Sequence, residues 1–183
     1  MDLIFCLYVS MIKIAFDKLD YLLDIIVRAF LIMANGCLAI MVVANAINIL
    51  CRALLDEAIV LVWPWSMTLF VWSVFLGFFV LYRQKKDVVV LVLLTWLSDR
   101  KQRALGMIVH LCIFSIMALM VIIAPTRIAN QTGIIELVDL PRYVLSIPFF
   151  LSCFLIALDS IVQVYRIYFG DDKLRSVNIM EKI

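Results

Sequence analysis

The chain has 183 residues, of which 66% are hydrophobic and 16% charged, with a formal net charge of +2 and a mean hydropathy of +1.11. Soluble domains are roughly 45–50% apolar and about 25% charged, and a domain this small leaves too much surface in water to hide so much apolar material. The composition therefore excludes a soluble, disordered or fibrous chain. The small and dispersed positive charge excludes a nucleic-acid binder.

What remains is an all-α integral membrane protein, a single membrane domain over 1–183. Its first segment, 1–27, opens Met1-Asp2 and lacks both the basic start and the small-residue cleavage site of a signal peptide. Ser10, Lys13, Asp17, Asp20, Asp24 and Arg28 recur every three or four positions, which puts them on one narrow helical face. That pattern predicts an amphipathic helix lying in the membrane interface and leading into the first span.

Four apolar stretches follow, each matching the roughly 20 residues that cross a bilayer. The first is 28–51, interrupted only by Asn35, Asn45 and Asn48. The second is 58–82, with Pro64 tolerated as a first-turn residue. The apolar stretch 88–98 is too short to cross; it is read as an interfacial segment or an extension of the third span. That third span is 104–124, with His110 its one ionisable residue and Pro125 expected to stop it. The fourth is 141–165, opened by Pro141 and kinked or delayed by Pro148, and 166–183 is a tail.

Arg52, Arg127 and Arg142 fall on one side of these spans, and every other Lys and Arg falls on the opposite side. The positive-inside rule then puts both termini in the cytoplasm, as four crossings require.

The sequence holds one His, so two-histidine haem ligation is impossible within it, and it has no metalloprotease or phosphate-loop motif. No cofactor, metal site or enzymatic activity is predicted. Cys6, Cys37, Cys51, Cys112 and Cys153 form no C-x-x-C pair and are read as apolar packing. Asn35, His110 and Asp159 fall at similar depth, about 10 Å inside the cytoplasmic boundary by helical rise. They are expected to form a buried polar layer joining three helices. The competing reading makes that layer the pathway of a self-sufficient, oligomeric small transporter.

Trp63, Trp65 and Trp72 gather at the start of span two, with Phe70, Phe75, Phe78 and Phe79 after them. Such a bulky span suits a broad contact with something larger. The run Val71-Trp72-Ser73-Val74-Phe75-Leu76-Gly77 precedes Tyr82-Arg83, Asn48 and Arg52 close span one, Trp65 opens span two, and Gln131-Thr132 precede Pro141 and Pro148. In this order the features resemble the small, Q-type membrane subunit of the tripartite ATP-independent periplasmic (TRAP) transporters, from about Asn45 to Val162. Ser66, Met67 and Thr68 stand where that family carries acidic residues, and Asp87 where it carries a His. No role is transferred to those positions.

The resemblance implies a multi-pass protein of the bacterial inner membrane. It implies a heterodimer in which this chain scaffolds a large multi-span subunit, while that subunit takes up an organic acid or similar solute with an ion, usually Na+. It also implies a periplasmic substrate-binding protein that meets the chain mainly through the complex. The residues expected at the subunit contact are Arg52, Trp65, Trp72, Phe75 and Gly77. Arg83, Lys85 and Lys86 are expected to hold anionic lipid headgroups.

Overall fold

The computed structural model describes residues 2–84, 99–135 and 140–169. Lys85, Lys86, the stretch 88–98 and the tail beyond 169 lie outside the described residues. Helix α1 runs from Asp2 to Leu55, α2 from Val62 to Gln84, α3 from Asp99 to Ala129 and α4 from Tyr143 to Phe169. A two-residue ribbon, β1 (Ile134–Ile135) and β2 (Leu140–Pro141), joins α3 to α4. All four helices are long and apolar enough to cross a membrane.

The amphipathic first segment and the first span are one helix. Nothing in Asp2–Asn35 is Pro or Gly, so no residue breaks the hydrogen-bond ladder. At 54 residues, α1 is roughly 80 Å long, more than twice the hydrocarbon thickness. It ends where Asp56 adopts a positive φ of 57°, the left-handed conformation that closes many helices. Asn48 then accepts the Ile59 N–H at 2.7 Å and Asn45 donates to Ser66 at 2.8 Å, which turns the chain back as α2.

Pro125 does not stop α3, which continues for another turn to Ala129. A proline removes one N–H and crowds one carbonyl, and outside water the backbone gains by keeping the remaining ladder intact. Pro141 likewise precedes α4, in β2, while Pro148 is accommodated inside the helix. The turn before β1 needs Gly133, whose φ is +156° and whose missing Cβ would meet the Arg142 side chain at 3.3 Å.

The helices pack in the order α1, α2, α4, α3, with α1 also touching α4. Their core joins Leu23, Val27, Phe30 and Ala34 of α1 to Leu76, Phe79 and Val80 of α2, and to Leu155, Ile156 and Val162 of α4. The α1 residues recur every three or four positions and so form one stripe. Phe30 meets Phe79 edge-on at 5.8 Å, and Ser152 donates to the Phe75 carbonyl at 2.7 Å. Phe16 of α1 stacks on Tyr165 of α4 at 4.1 Å, which brings both ends of the described chain to the same end of the bundle.

Phe79 is fully buried and its neighbour Phe78 is exposed. Phe79→Ala is expected to lower stability in detergent by about 2 kcal/mol, mostly the cavity cost, because lipid rather than water is the alternative surrounding. Phe78→Ala should stay within about 0.5 kcal/mol of the parent. A thermal melt of the purified variants checks both.

Candidate functional site

The most polar place in the bundle lies at the last turn of α2. Arg83 is 3% exposed, and three carboxylates from two other helices surround its guanidinium. Nε and Nη2 both donate to Asp24, at 2.9 and 2.7 Å. Nη2 also donates to the Asp20 carboxylate at 2.7 Å and to the Asp20 carbonyl at 2.9 Å. Nη1 donates to Asp159, which is itself 1% exposed. Arg166 of α4 donates to the other oxygen of Asp20 at 2.6 Å, so that carboxylate bridges arginines from two helices.

Local sequence explains the convergence. Asp20 and Asp24 are one turn apart on α1 and point to the same neighbour. Asp159 and Gln163 repeat that spacing on α4, where the Gln163 amide reaches Asp159 at 3.5 Å. The Arg side chain supplies five donors in a planar fork, which a single carboxylate cannot satisfy. Three helices must therefore meet around it.

A second polar chain runs beside the first. The Tyr82 hydroxyl lies 3.0 Å from Ser160 and 3.4 Å from His110 Nδ1. Because the Ser160 hydroxyl donates to the Ile156 carbonyl, Tyr82 donates to Ser160, and the proton of His110 is then placed on Nδ1. This chain links α3 to α2 and α4.

Against the expectations, the polar layer is only partly assembled. Asp159 sits on Arg83, and His110 approaches it by way of Tyr82 and Ser160. Asn35 stands exposed on another face of α1. Arg83 is a correction to the sequence reading. It was expected among lipid headgroups, but it lies inside the bundle with its donors on Asp20, Asp24 and Asp159, because a guanidinium held by carboxylates from two other helices has no face left for a phosphate.

The expected contact residues divide. Trp72 donates its indole N–H to the Val144 carbonyl at 3.2 Å, and Phe75 packs on Phe149 at 5.1 Å, so both face α4. Arg52 is exposed at the end of α1 and Trp65 is 47% exposed. Gly77 has nothing within 4 Å of where a Cβ would stand. It lies on an outward stripe of α2 made by Trp63, Met67, Phe70, Val74, Phe78 and Leu81, all exposed.

Sequence reading passed over Asp20, Asp24, Arg166, Tyr82 and Ser160 as partners. The available signal was the acid pair one turn apart on a mostly apolar helix, set against a lone Arg ending one span and a lone Asp inside another. Among the described residues, no group of His, Cys, Asp and Glu is placed to hold a metal ion. Chemically, the cluster is a set of mutually neutralising charges that fixes helix positions.

Asp159→Asn is expected to destabilise the chain by roughly 3–5 kcal/mol, the usual cost of breaking a buried pair from one side. Asp24→Asn, whose side chain is 49% exposed, should cost about 1 kcal/mol or less. Arg83→Lys should behave as a loss, since an ammonium cannot reproduce the fork. Denaturant unfolding in detergent distinguishes the three.

A family model described as the tripartite ATP-independent periplasmic transporters, DctQ component, matches residues 39–170. No curated protein and no solved structure matches the chain.

Proposed function

Since the chain belongs to the DctQ component family of the tripartite ATP-independent periplasmic transporters, and is thus their small inner-membrane subunit, we propose that it acts there as a lateral scaffold for the large transport subunit. The observation that carries this reading is how polar and apolar groups are divided. The buried charges neutralise one another inside the bundle. The outward face of α2 is a continuous apolar stripe with a notch at Gly77.

A glycine notch flanked by bulky side chains is a surface into which another helix can settle closely, and in lipid such packing is what drives helices together. Solute and coupling ion, in this reading an organic acid or similar compound and Na+, are handled by the large subunit, and a periplasmic protein delivers the solute. The lopsided placement of Lys and Arg supports a cytoplasmic position for both termini. The rival reading, a solo oligomeric transporter, needs Asn35, His110 and Asp159 in one pathway, and Asn35 lies apart from the other two.

Pull-down of the tagged chain from native membranes in mild detergent should recover a large multi-span protein at one-to-one stoichiometry. Gly77→Leu should reduce that recovery by about tenfold, since a 1.4 kcal/mol loss at an interface suffices. The melting temperature of the isolated chain should not fall. Recovery of this chain alone as a defined oligomer would overturn the scaffold reading.

A further inference from the structure

The family match begins at residue 39, yet two of the three carboxylates on Arg83 come from α1 residues that precede it, Asp20 and Asp24. Arg83, Asp159 and Arg166 all lie within the match. The buried cluster is therefore a joint between the family core and a segment the family does not include.

The geometry of that joint is specific. Past the end of α2 at Gln84, α1 and α4 continue side by side, with Phe16 stacked on Tyr165 and Asp20 paired to Arg166. On the other flank of the segment, Met11, Ile14, Tyr21, Leu22 and Ile25 are exposed. One edge of this part of α1 thus faces α4 and α2, and the edge is dominated by charge.

We propose that residues 16–24 of α1 form an arm that Arg83 latches onto the family core, and that the latch is a conformational device separable from the packing of the α1–α2 hairpin. Each oxygen of Asp20 is held by a different arginine, one on α2 and one on α4, so the arm is tied to both helices at one point. Removing Arg83 does more than delete an attraction. Asp20, Asp24 and Asp159 then converge with Arg166 as the one described cation among them, and like charges at this range repel strongly where water is scarce. The same arm that was clamped is pushed away from α4. At the far end, Asn45–Ser66 and Asn48–Ile59 hold α1 to the start of α2 without any charge, so that end stays closed.

Two cysteine pairs in the full-length chain, with its native cysteines replaced, read the two ends in intact membranes. Phe16→Cys with Tyr165→Cys reports the arm, and Asn45→Cys with Ser66→Cys reports the hairpin, each joined by a short bismaleimide. Both pairs should crosslink when Arg83 is present. With Arg83→Gln the arm crosslink should fall by about tenfold, equivalent to 1.4 kcal/mol, while the hairpin crosslink persists. Adding Asp20→Asn and Asp24→Asn to Arg83→Gln should restore most of the arm signal, because the repulsion is gone. An arm crosslink unchanged by Arg83→Gln would overturn the latch. Loss of both crosslinks would overturn its separability, and absence of the arm crosslink in the Arg83 chain would overturn the placement of the arm.

Discussion

A guanidinium almost completely removed from solvent, at the end of a helix surrounded by lipid-facing side chains, constrains the rest of this molecule. Transferring such a charge out of water costs several kcal/mol even after relaxation, and only near-complete pairing offsets it. Arg83 meets that demand with carboxylates from α1 and α4. Its planar fork sets the directions from which those helices approach, so the contact order α1, α2, α4 follows from the chemistry of one side chain. The remaining helix, α3, joins through the neutral chain from His110 to Tyr82 and Ser160.

The surroundings also invert the usual meaning of amphipathicity. In water the polar stripe of α1 would face solvent and its apolar face a core. Here Asp20 and Asp24 turn into the bundle, while Ile32, Leu54 and Leu55 of the same helix are exposed. Lipid tails are as apolar as leucine, so apolar packing alone distinguishes poorly between one helix arrangement and another. Polar pairing supplies the discrimination, which is why so few polar residues carry so much of the architecture. For the same reason an exposed apolar residue does not mark an interface by itself; on α2 the distinguishing feature is the open notch at Gly77.

Several parts of this protein could be read residue by residue before any geometry was known. The four spans follow from apolar runs of bilayer length bounded by Arg28, Arg52, Arg83 and Arg166. The family was legible in the order Asn48, Arg52, Trp65, Trp72-Ser73 and Tyr82-Arg83. The inclusion of Pro125 within α3 was not, since a proline's local penalty says nothing about how strongly the environment favours continuing the helix. Nor was the continuity of α1 through Leu55, which the change from polar stripe to apolar span conceals.

By itself, the sequence determined that the chain resides in a membrane, how many times its helices can cross, and which transporter family it belongs to, because these depend on composition, run length and residue order along one dimension. The tertiary structure alone decided which charges neutralise which. Asp20, Asp24, Arg83, Asp159 and Arg166 are scattered over most of the chain, and their spacing carries no trace of their meeting. Whether Arg83 holds a lipid headgroup or a carboxylate, and whether Trp72 faces a partner or the Val144 carbonyl, depends on which face each helix turns to its neighbour. That rotation is settled by the summed pairing of all four helices, and no single helix encodes it.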